Sequence, residues 1–239
     1  MAAGSGNWGG RSRRYRRRRP LPAVIVLVVL AVITGFVWIK VLGSASSSGR
    51  AISCNAPSAP PPTVAGQPPT TLGQSQDPEA LDRTVPVAPG QVLVKVMNAS
   101  TQRGRAGEVT EGLRQLGFAQ VAAPDNDPLY LAAKNSGAEL SCRAQIRYGP
   151  QGVAAARTLS LVEPCAQLVK DNRQDPTVDL ALGKAFDNLR PKPEARRVLE
   201  QISQWSIDHP EAQGGLQANP QAAPQLDPEQ LRTARDVRC

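Results

Sequence analysis

An unbroken apolar run near the N-terminus most constrains what this chain can form. Residues 21–42 contain no acidic side chain, and their one charged residue is Lys40, close to the far end. A run of about 22 residues matches the ~20 that a helix needs to cross ~30 Å of hydrocarbon. Trp38 and Lys40 fall where an indole and an ammonium group suit the membrane interface. The pattern predicts a transmembrane helix over residues 21–43.

The basic residues of the chain are unevenly distributed. The sequence has 28 Lys and Arg residues against 20 Asp and Glu, whereas residues 44–239 hold 20 of each kind. A nucleic-acid-binding domain carries its basic face on the folded part, so we expect no nucleic-acid partner. Arginines beside an apolar run mark the cytoplasmic side of a membrane, so residues 1–20 are predicted to be a cytoplasmic tail. Its seven arginines are Arg11, Arg13, Arg14, Arg16, Arg17, Arg18 and Arg19.

A cleaved signal peptide is the alternative interpretation of this segment. Small residues at 43–45 would suit a cleavage site, but the apolar core of a signal peptide is usually only ~7–15 residues long. The longer run favours a retained single-pass anchor in the cell membrane, with the N-terminus in the cytoplasm. The C-terminal domain is then extracytoplasmic.

Two stretches of biased composition flank a central region. Residues 44–90 are rich in Pro, Ser and Gly, which predicts a flexible to semi-extended linker with one helical turn at 77–82. Residues 208–239 are rich in Pro, Gln, Gly and Ala, which predicts a mostly disordered tail with a short helix at 227–236. A globular domain is predicted over residues 91–190. An amphipathic helix over residues 191–207 is predicted to cap it.

The central region alternates strand and helix patterns in the order β-α-β-β-α-β-β. The first strand has apolar side chains on both faces, which is typical of a central strand. Alternation of this kind predicts a single small α/β domain, in which two helices cover a mixed sheet. Residues 124–141 are predicted to be an inserted loop. The predicted strands are 91–98, 118–123, 142–148, 165–170 and 177–186, and the predicted helices are 106–116 and 150–162.

The four cysteines all lie in the part of the chain that is predicted to be exported, where disulfides persist. Four cysteines allow three connectivities. Cys142 and Cys165 begin two strands joined by a helical crossover, so their amino ends lie at the same edge of the sheet. This placement predicts a Cys142–Cys165 disulfide and leaves Cys54 to pair with Cys239.

No arrangement of residues in the sequence points to catalysis. The chain has one histidine, His209, without a nearby partner for acid-base chemistry, and it has no Cys/His cluster or nucleotide-binding loop. Asp125 and Asp127 alternate with Asn126 beside prolines, which is more typical of turns than of a cation site. We therefore predict that the protein is not an enzyme and that it holds no cofactor or metal.

The turn after the first strand is the candidate binding site. It lies at the carboxyl end of a strand and at the start of a helix, where backbone N–H groups favour anions. An anionic glycan could dock there. The alternative is that its polar side chains satisfy turn and cap hydrogen bonds and its arginines are solvated. The candidate ligand-binding residues are Asn98, Ser100, Thr101, Arg103 and Arg105.

Three stretches of the central region resemble the LytR C-terminal domain. They are VLVKVMNASTQRGRAGEVTEGLRQLGF at 92–118, IRYGPQGVAAARTLS at 146–160 and VDLALGKAF at 178–186. The likeness covers roughly residues 91–189 and departs from the family pattern in the loop at 124–141 and in the added C-terminal helix. In LytR-type enzymes this domain follows a catalytic glycopolymer-ligase domain, whereas the residues upstream here are linker. The resemblance implies a role in the cell envelope and brings no catalytic residue with it.

Two functions fit these observations. The first is a non-catalytic, anchored envelope protein that supports cell envelope integrity through protein contacts or scaffolding of envelope assembly. The second is a module that binds an anionic wall glycan through the turn at 98–105. The expected partners are therefore the membrane and either envelope proteins or a wall polymer.

Overall fold

The computed structural model describes residues 25–38, 52–57, 72–130, 139–210 and 224–239. Its contacts divide the chain into two units, residues 1–45 and 46–239. In the first unit, residues 25–38 are helical and their apolar side chains are exposed. Within the described residues, no helix is both long and apolar enough to span a bilayer. Residues 21–24 and 39–43 of the predicted transmembrane helix lie outside the described part, as does the arginine-rich tail at 1–20.

The second unit is a mixed sheet with helices. Among the described residues the sheet has seven strands, and the predicted order of strands and helices is present along the chain. Two further short strands, β1 and β4, were not predicted. The strands are β1 (Gln74–Ser75), β2 (Leu93–Asn98), β3 (Gln120–Val121), β4 (Asp125–Asn126), β5 (Ala144–Tyr148), β6 (Gln167–Lys170) and β7 (Val178–Leu182). The helices are α1 (Arg105–Gln115), α2 (Val153–Val162), α3 (Pro193–Asp208) and α4 (Pro228–Arg235).

The sheet has the strand order β1-β6-β5-β7-β2-β3, and β4 also pairs with β2. The β5–β6 and β2–β7 pairs are parallel, whereas β5 and β7 are antiparallel. A β-strand alternates its side chains between the two faces of a sheet. Strand β2 is central, as its two apolar faces predict, because β7 lies on one side of it and β3 and β4 lie on the other.

The main hydrophobic core lies between one face of the sheet and the helices. Ile146 and Leu180 of the sheet pack there with Leu113 of α1, Leu159 of α2 and Ile202 of α3, and all five are fully or almost fully buried. The opposite face carries a smaller apolar cluster under the loop that follows β4, formed by Ala99, Leu129, Tyr130, Leu140, Cys142 and Ala181.

The second face also holds a buried ion pair. Arg147 of β5 donates to the Asp127 carboxylate at 2.6 Å and to Gln145, and it lies 5.7 Å from the centre of the Tyr130 ring. Asp127 also accepts the backbone N–H of Leu129, so it forms a turn as its sequence context predicts. Each of its two oxygens therefore has a partner.

The prediction of a linker over residues 44–90 is wrong for its C-terminal third. Leu81 is buried in the main core, Gln76 donates its backbone N–H to Leu168, and Val87 accepts from Thr158 at 2.6 Å. The predicted turn at 77–82 is present, with Asp77 accepting the N–H of Glu79. Composition did not predict these contacts because few apolar side chains lie in this segment and part of its contact with the domain is made by backbone groups.

The C-terminal tail contains the predicted short helix and packs on the domain. The helix expected near residues 227–236 is α4, and its Ala234 is fully buried against the core. The tail is therefore ordered where it meets the domain. Residues 211–223 of the predicted disordered segment lie outside the described residues.

The predicted disulfide pairing is wrong. The structure pairs Cys54 with Cys142 and Cys165 with Cys239. Strands β5 and β6 are parallel neighbours as expected, but Gln145 stands opposite Gln167. Continuing that register places Arg143 opposite Cys165. Cys142 is therefore one residue away from the position that faces Cys165. Because a shift of one residue turns a side chain to the other face of a sheet, the two cysteines do not meet. Cys142 instead lies in the smaller apolar cluster, where Cys54 reaches it.

Candidate functional site

The candidate site is the turn that joins the central strand to the first helix. Asn98 is the last residue of β2 and pairs with Leu182 of β7 and with Asn126 of β4. Gly104 adopts the left-handed conformation, with φ of 81°, immediately before α1. Such a conformation suits glycine because it has no Cβ. Gly104 thus lets the chain turn sharply from the sheet edge into the helix.

Two predicted site residues, Asn98 and Ser100, organise the turn from within. Both are buried. The Asn98 side-chain oxygen accepts from the backbone N–H of Ser100 at 3.1 Å and from its hydroxyl at 3.0 Å, while the Asn98 amide donates to the Gln102 carbonyl at 2.9 Å. The Ser100 hydroxyl also accepts the N–H of Gln102 at 3.3 Å. These side chains shape the turn, as the structural interpretation of the sequence predicts.

A third predicted residue, Thr101, is bound by a carboxylate of the same chain. Its backbone N–H donates to Glu139 at 2.6 Å. Hydrogen bonds from Thr101, first from its side chain and then from its backbone, lower the pKa of Glu139. A hydrogen bond to the ionised form of an acid favours that form. Glu139 thus occupies the position at which an anionic ligand would meet the Thr101 amide.

The two predicted arginines have different environments. Arg105 donates to the backbone carbonyls of Phe186 and Asp187, at 2.7 Å to the latter, and its guanidinium lies 5.9 Å from the centre of the Phe186 ring. It therefore fastens the start of α1 to the segment after β7. Arg103 is exposed, and within the described part of the chain it makes no ion pair or side-chain hydrogen bond.

A cleft of about 330 Å³ lies beside the turn, and Gly104, Ala106 and Gly107 of the helix start line it with Pro124, Asp125 and Asn126. No side chain caps the N-terminus of α1. The positive end of the helix favours an anion in the cleft. Asp125 stands on the opposite wall, where the Asn126 backbone N–H and then Lys95 lower its pKa, so it remains ionised. The cleft can accept a polar group, but its charges are mixed.

The described residues do not assemble groups for acid-base or metal chemistry at this cleft. His209 lies at the end of α3, where it stacks on Trp205 with ring centres 4.6 Å apart and contacts the Trp205 carbonyl through Nδ1. No group of three or more His, Cys, Asp or Glu side chains suited to a metal lies within the described ranges. The carboxylates of Asp125 and Asp127 are each paired with a cation, Lys95 and Arg147.

The sequence did not predict a second group of charged side chains around Phe186, the residue that Arg105 contacts. Arg143 lies 5.0 Å from the Phe186 ring centre and donates to Glu163 at 2.7 Å and to Asp187. Glu163 is almost fully buried, and burial raises its pKa, while Arg143 opposes that change. Single charged residues distant in sequence carry no periodic signal, so this convergence could not be predicted.

Comparison with known proteins agrees with this architecture. A family model described as the LytR cell envelope-related transcriptional attenuator matches residues 91–186. The chain is 38% identical over 190 residues to the cell envelope integrity protein Cei of Mycobacterium tuberculosis (strain ATCC 25618 / H37Rv), a match that covers 80% of this chain and 83% of that protein. A crystal structure of the soluble domain of a conserved hypothetical secreted protein from Mycobacterium marinum superimposes with a TM-score of 0.56 at 31% identity. That match covers 71% of this chain and all of the other.

Proposed function

The chain belongs to the LytR C-terminal domain family, and from that premise we propose that it is a membrane-anchored, exported protein that supports cell envelope integrity without catalysis. Its extracytoplasmic domain acts through contacts with envelope proteins or by scaffolding envelope assembly. The similarity to a cell envelope integrity protein supports a role in the envelope. The hydrogen bonds of the turn at 98–105 support scaffolding over ligand binding.

One observation carries the choice of a scaffold over a binding pocket. The polar groups of the turn at 98–105 are mostly committed to bonds within the chain. Asn98 and Ser100 bind inside the turn, Arg105 binds the segment after β7, and Glu139 accepts from the Thr101 amide. Groups that are already satisfied gain little by exchanging their partners for a ligand. The turn therefore serves to fix the edge of the sheet, and the domain presents a rigid surface to other molecules.

Cross-linking in intact cells tests the scaffold. A photoreactive residue in place of Ile207, which is 71% exposed, or of the exposed Arg103 reports what each surface meets. We expect a discrete protein adduct from at least one position. The buried Ile202 on the same helix is the matched control and should give no adduct. If neither exposed position cross-links to a protein, or if wall polymer alone is captured, the scaffold proposal fails.

Membrane anchoring rests on the sequence and on the helical segment at 25–38. Leu27, Phe36 and Trp38 of that segment expose more than half of their surface, as side chains that contact lipid would. A protease-cleavable tag at each end of the chain tests the topology in intact cells. The C-terminal tag should be cut by external protease and the N-terminal tag should be protected. Release of the whole protein into the medium would instead favour a cleaved signal peptide.

A second function is favoured by Arg103 and the adjoining cleft at the start of α1. An anionic wall glycan could contact the unpaired guanidinium and the amide groups of the helix start. The test is sedimentation of the full chain with purified anionic wall polymer. Arg103→Glu should abolish retention, whereas Arg83→Glu, which changes another exposed arginine without an ion pair among the described residues, should not. Equal retention of both variants and the parent chain would exclude this site.

A further inference from the structure

The C-terminal segment, residues 224–239, packs against helices α2 and α3. Its helix α4 packs on α3 and α2, where Ala234 is fully buried and Leu226 and Leu231 are partly buried against the main core. Helices shorter than ~12 residues are marginal in water, so eight residues depend on these contacts for their helical form. We call this segment the C-terminal clasp.

Polar contacts fasten the clasp at two places. Lys192, just before α3, donates to the carbonyls of Thr233 and Asp236 at 2.8 and 2.9 Å, where the last turn of α4 leaves carbonyl groups free. Arg235 donates to the Pro78 carbonyl at 2.7 Å and to the Asp82 carboxylate. The clasp thus bridges the start of α3 and the segment before the first long strand.

One of these contacts shares its acceptor with a second arginine. Asp82 already accepts from Arg157 at 2.7 Å, and Arg157 is 1% exposed. Docking brings the second guanidinium, that of Arg235, to the same carboxylate, and the Nε atoms of both arginines are buried without an acceptor. Burial lowers the pKa of Arg157, and the charge of Arg235 lowers it further. Asp82 thus accepts from two guanidinium groups, and the attraction of Arg235 to this carboxylate is weakened by its repulsion from Arg157.

The remaining fastening is covalent, and of its two cysteines Cys239 is partly exposed whereas Cys165 is buried. The Cys165–Cys239 disulfide joins the C-terminal segment to the turn just before β6. It lines a cleft of about 270 Å³ together with Arg143, Arg190 and Arg238. Glu163 and Asp187 of the same cleft pair with Arg143, and Asp187 also lies 3.8 Å from Arg190, so Arg238 is the arginine of this cleft without an ion pair among the described residues. Arginines near a disulfide favour the thiolate form of both the attacking and the leaving sulfur.

We propose that the Cys165–Cys239 disulfide is a redox-sensitive fastener, and that its cleavage by a dithiol releases the C-terminal clasp from α2 and α3. A thiolate of the dithiol attacks one sulfur and forms a mixed disulfide, and its second thiol then displaces the protein sulfur. The dithiol is oxidised to a disulfide, and Cys165 and Cys239 are each left as thiols, with the transfer of two electrons and two protons. Release uncovers the apolar surface beneath Ala234. This device lies beyond the proposed envelope function and does not depend on it.

Graded reduction of the full chain in detergent micelles tests the proposal. The chain is treated with increasing dithiothreitol, free thiols are alkylated and mapped by mass spectrometry, and hydrogen exchange is followed in parallel. We expect Cys165–Cys239 to open at a lower reductant concentration than Cys54–Cys142. Amides of α4 should then exchange roughly a hundredfold faster, because linking two contacts raises apparent affinity by about that factor or more. Amides of β2, β5 and β7 should stay protected.

The Cys239→Ser variant gives an independent readout without reductant. It should show the same fast exchange in α4 with a protected sheet. Three results would overturn the proposal: simultaneous opening of the two disulfides, earlier opening of Cys54–Cys142, or unchanged protection of α4 in the variant. Loss of sheet protection in the variant would also overturn it, because the disulfide would then hold the whole fold and not the clasp alone.

Discussion

At the scale of single residues, two aspartates two positions apart have opposite environments. Asp127 is fully buried and paired with the buried Arg147, whereas Asp125 pairs with Lys95 on the surface, where the two side chains are 61% and 40% exposed. Composition gives both the same prediction, a turn residue beside proline. What separates them is whether the carboxylate meets the cation away from water, and that depends on tertiary contacts with β5.

The matched pair Asp127→Asn and Asp125→Asn measures this difference. Asp127→Asn keeps the shape of the side chain but leaves Arg147 with an uncompensated buried charge, so we expect a loss of about 3–5 kcal/mol in the free energy of unfolding. Asp125→Asn should cost no more than about 1 kcal/mol because its ion pair is solvated. Urea denaturation of both variants provides the measurement. Equal losses would show that the pair with Arg147 contributes no more than a surface contact.

Glu139 gives the turn a dependence on pH. Its pKa is lowered in the folded state by hydrogen bonds from Thr101, so it stabilises the fold above its ordinary pKa of 4.5, and this contribution is lost as the pH falls through the lowered value. Glu139→Gln should therefore be less stable than the parent chain at neutral pH, by about 1 kcal/mol. The two should converge in stability below the folded pKa. The control is Glu111→Gln, which changes an exposed acid on α1.

Thermal unfolding between pH 2 and pH 7 measures the effect. A constant difference between Glu139→Gln and the parent chain across that range would contradict the role of the ionised carboxylate at the Thr101 amide. The exposed Glu111 control should differ little from the parent chain at any pH in the series.

At the scale of the elements, helix α1 depends on a glycine at its C-terminal end. Gly117 has φ of 90°, a left-handed conformation that costs other residues about 1–2 kcal/mol. We expect Gly117→Ala to destabilise the fold by about that amount. Gly107→Ala in the same helix is the matched control, since an added Cβ meets nothing within 4 Å, and it should stabilise the fold by about 0.5–1 kcal/mol. Chemical denaturation measures the free energy of unfolding of both variants. A lower value than the parent chain in both variants would refute the conformational explanation.

The elements with a long periodic pattern are those that could be predicted. The alternation in β2, the helical spacing of α1 to α3 and the order of strands are all present in the structure. The two-residue strands β1 and β4 could not be predicted, because their hydrogen bonds come from neighbours already placed by the rest of the fold. The Cys142–Cys165 prediction failed for a related reason. The strands were correctly placed side by side, but sequence cannot fix their register to a single residue.

The sequence predicted where the turn lies and which side chains shape it, but it did not predict the contacts of Glu139 and Arg105. Asn98 and Ser100 lie at the carboxyl end of a strand, as the pattern indicates, and they make the turn bonds that their residue types favour. The contribution of Glu139 could not be predicted because it comes from a loop 38 residues away along the chain from Thr101. The sequence pattern predicted the same role for Arg105 as for Arg103, namely ligand binding. In the structure Arg105 instead donates to the Phe186 carbonyl.

At the scale of the whole molecule, two disulfides join segments outside the predicted domain to its strands. The Cys54–Cys142 bridge closes a loop with a sequence separation of 88. By the chain-entropy model such a loop contributes about 4–5 kcal/mol. The double variant Cys54→Ala, Cys142→Ala should lose roughly that amount on denaturation without reductant. Peptide mapping under non-reducing conditions should recover Cys54 linked to Cys142, and a peptide linking Cys54 to Cys239 would contradict the structure.

The Cys54–Cys142 bridge also decides which part of the chain transmits mechanical force. If the protein is pulled by its proposed N-terminal anchor while the domain is held by a partner, tension passes along residues 44–54 and enters the sheet through the disulfide just before β5. The covalent bridge then bears the load in place of the chain that joins Cys54 to residue 72. Opening the bridge would transfer the pull to the segment that begins at residue 72 and lengthen the connection by roughly 60 Å, at ~3.3–3.6 Å per extended residue. The oxidation state of one cysteine pair would thus set the extensible length between the proposed anchor and the domain.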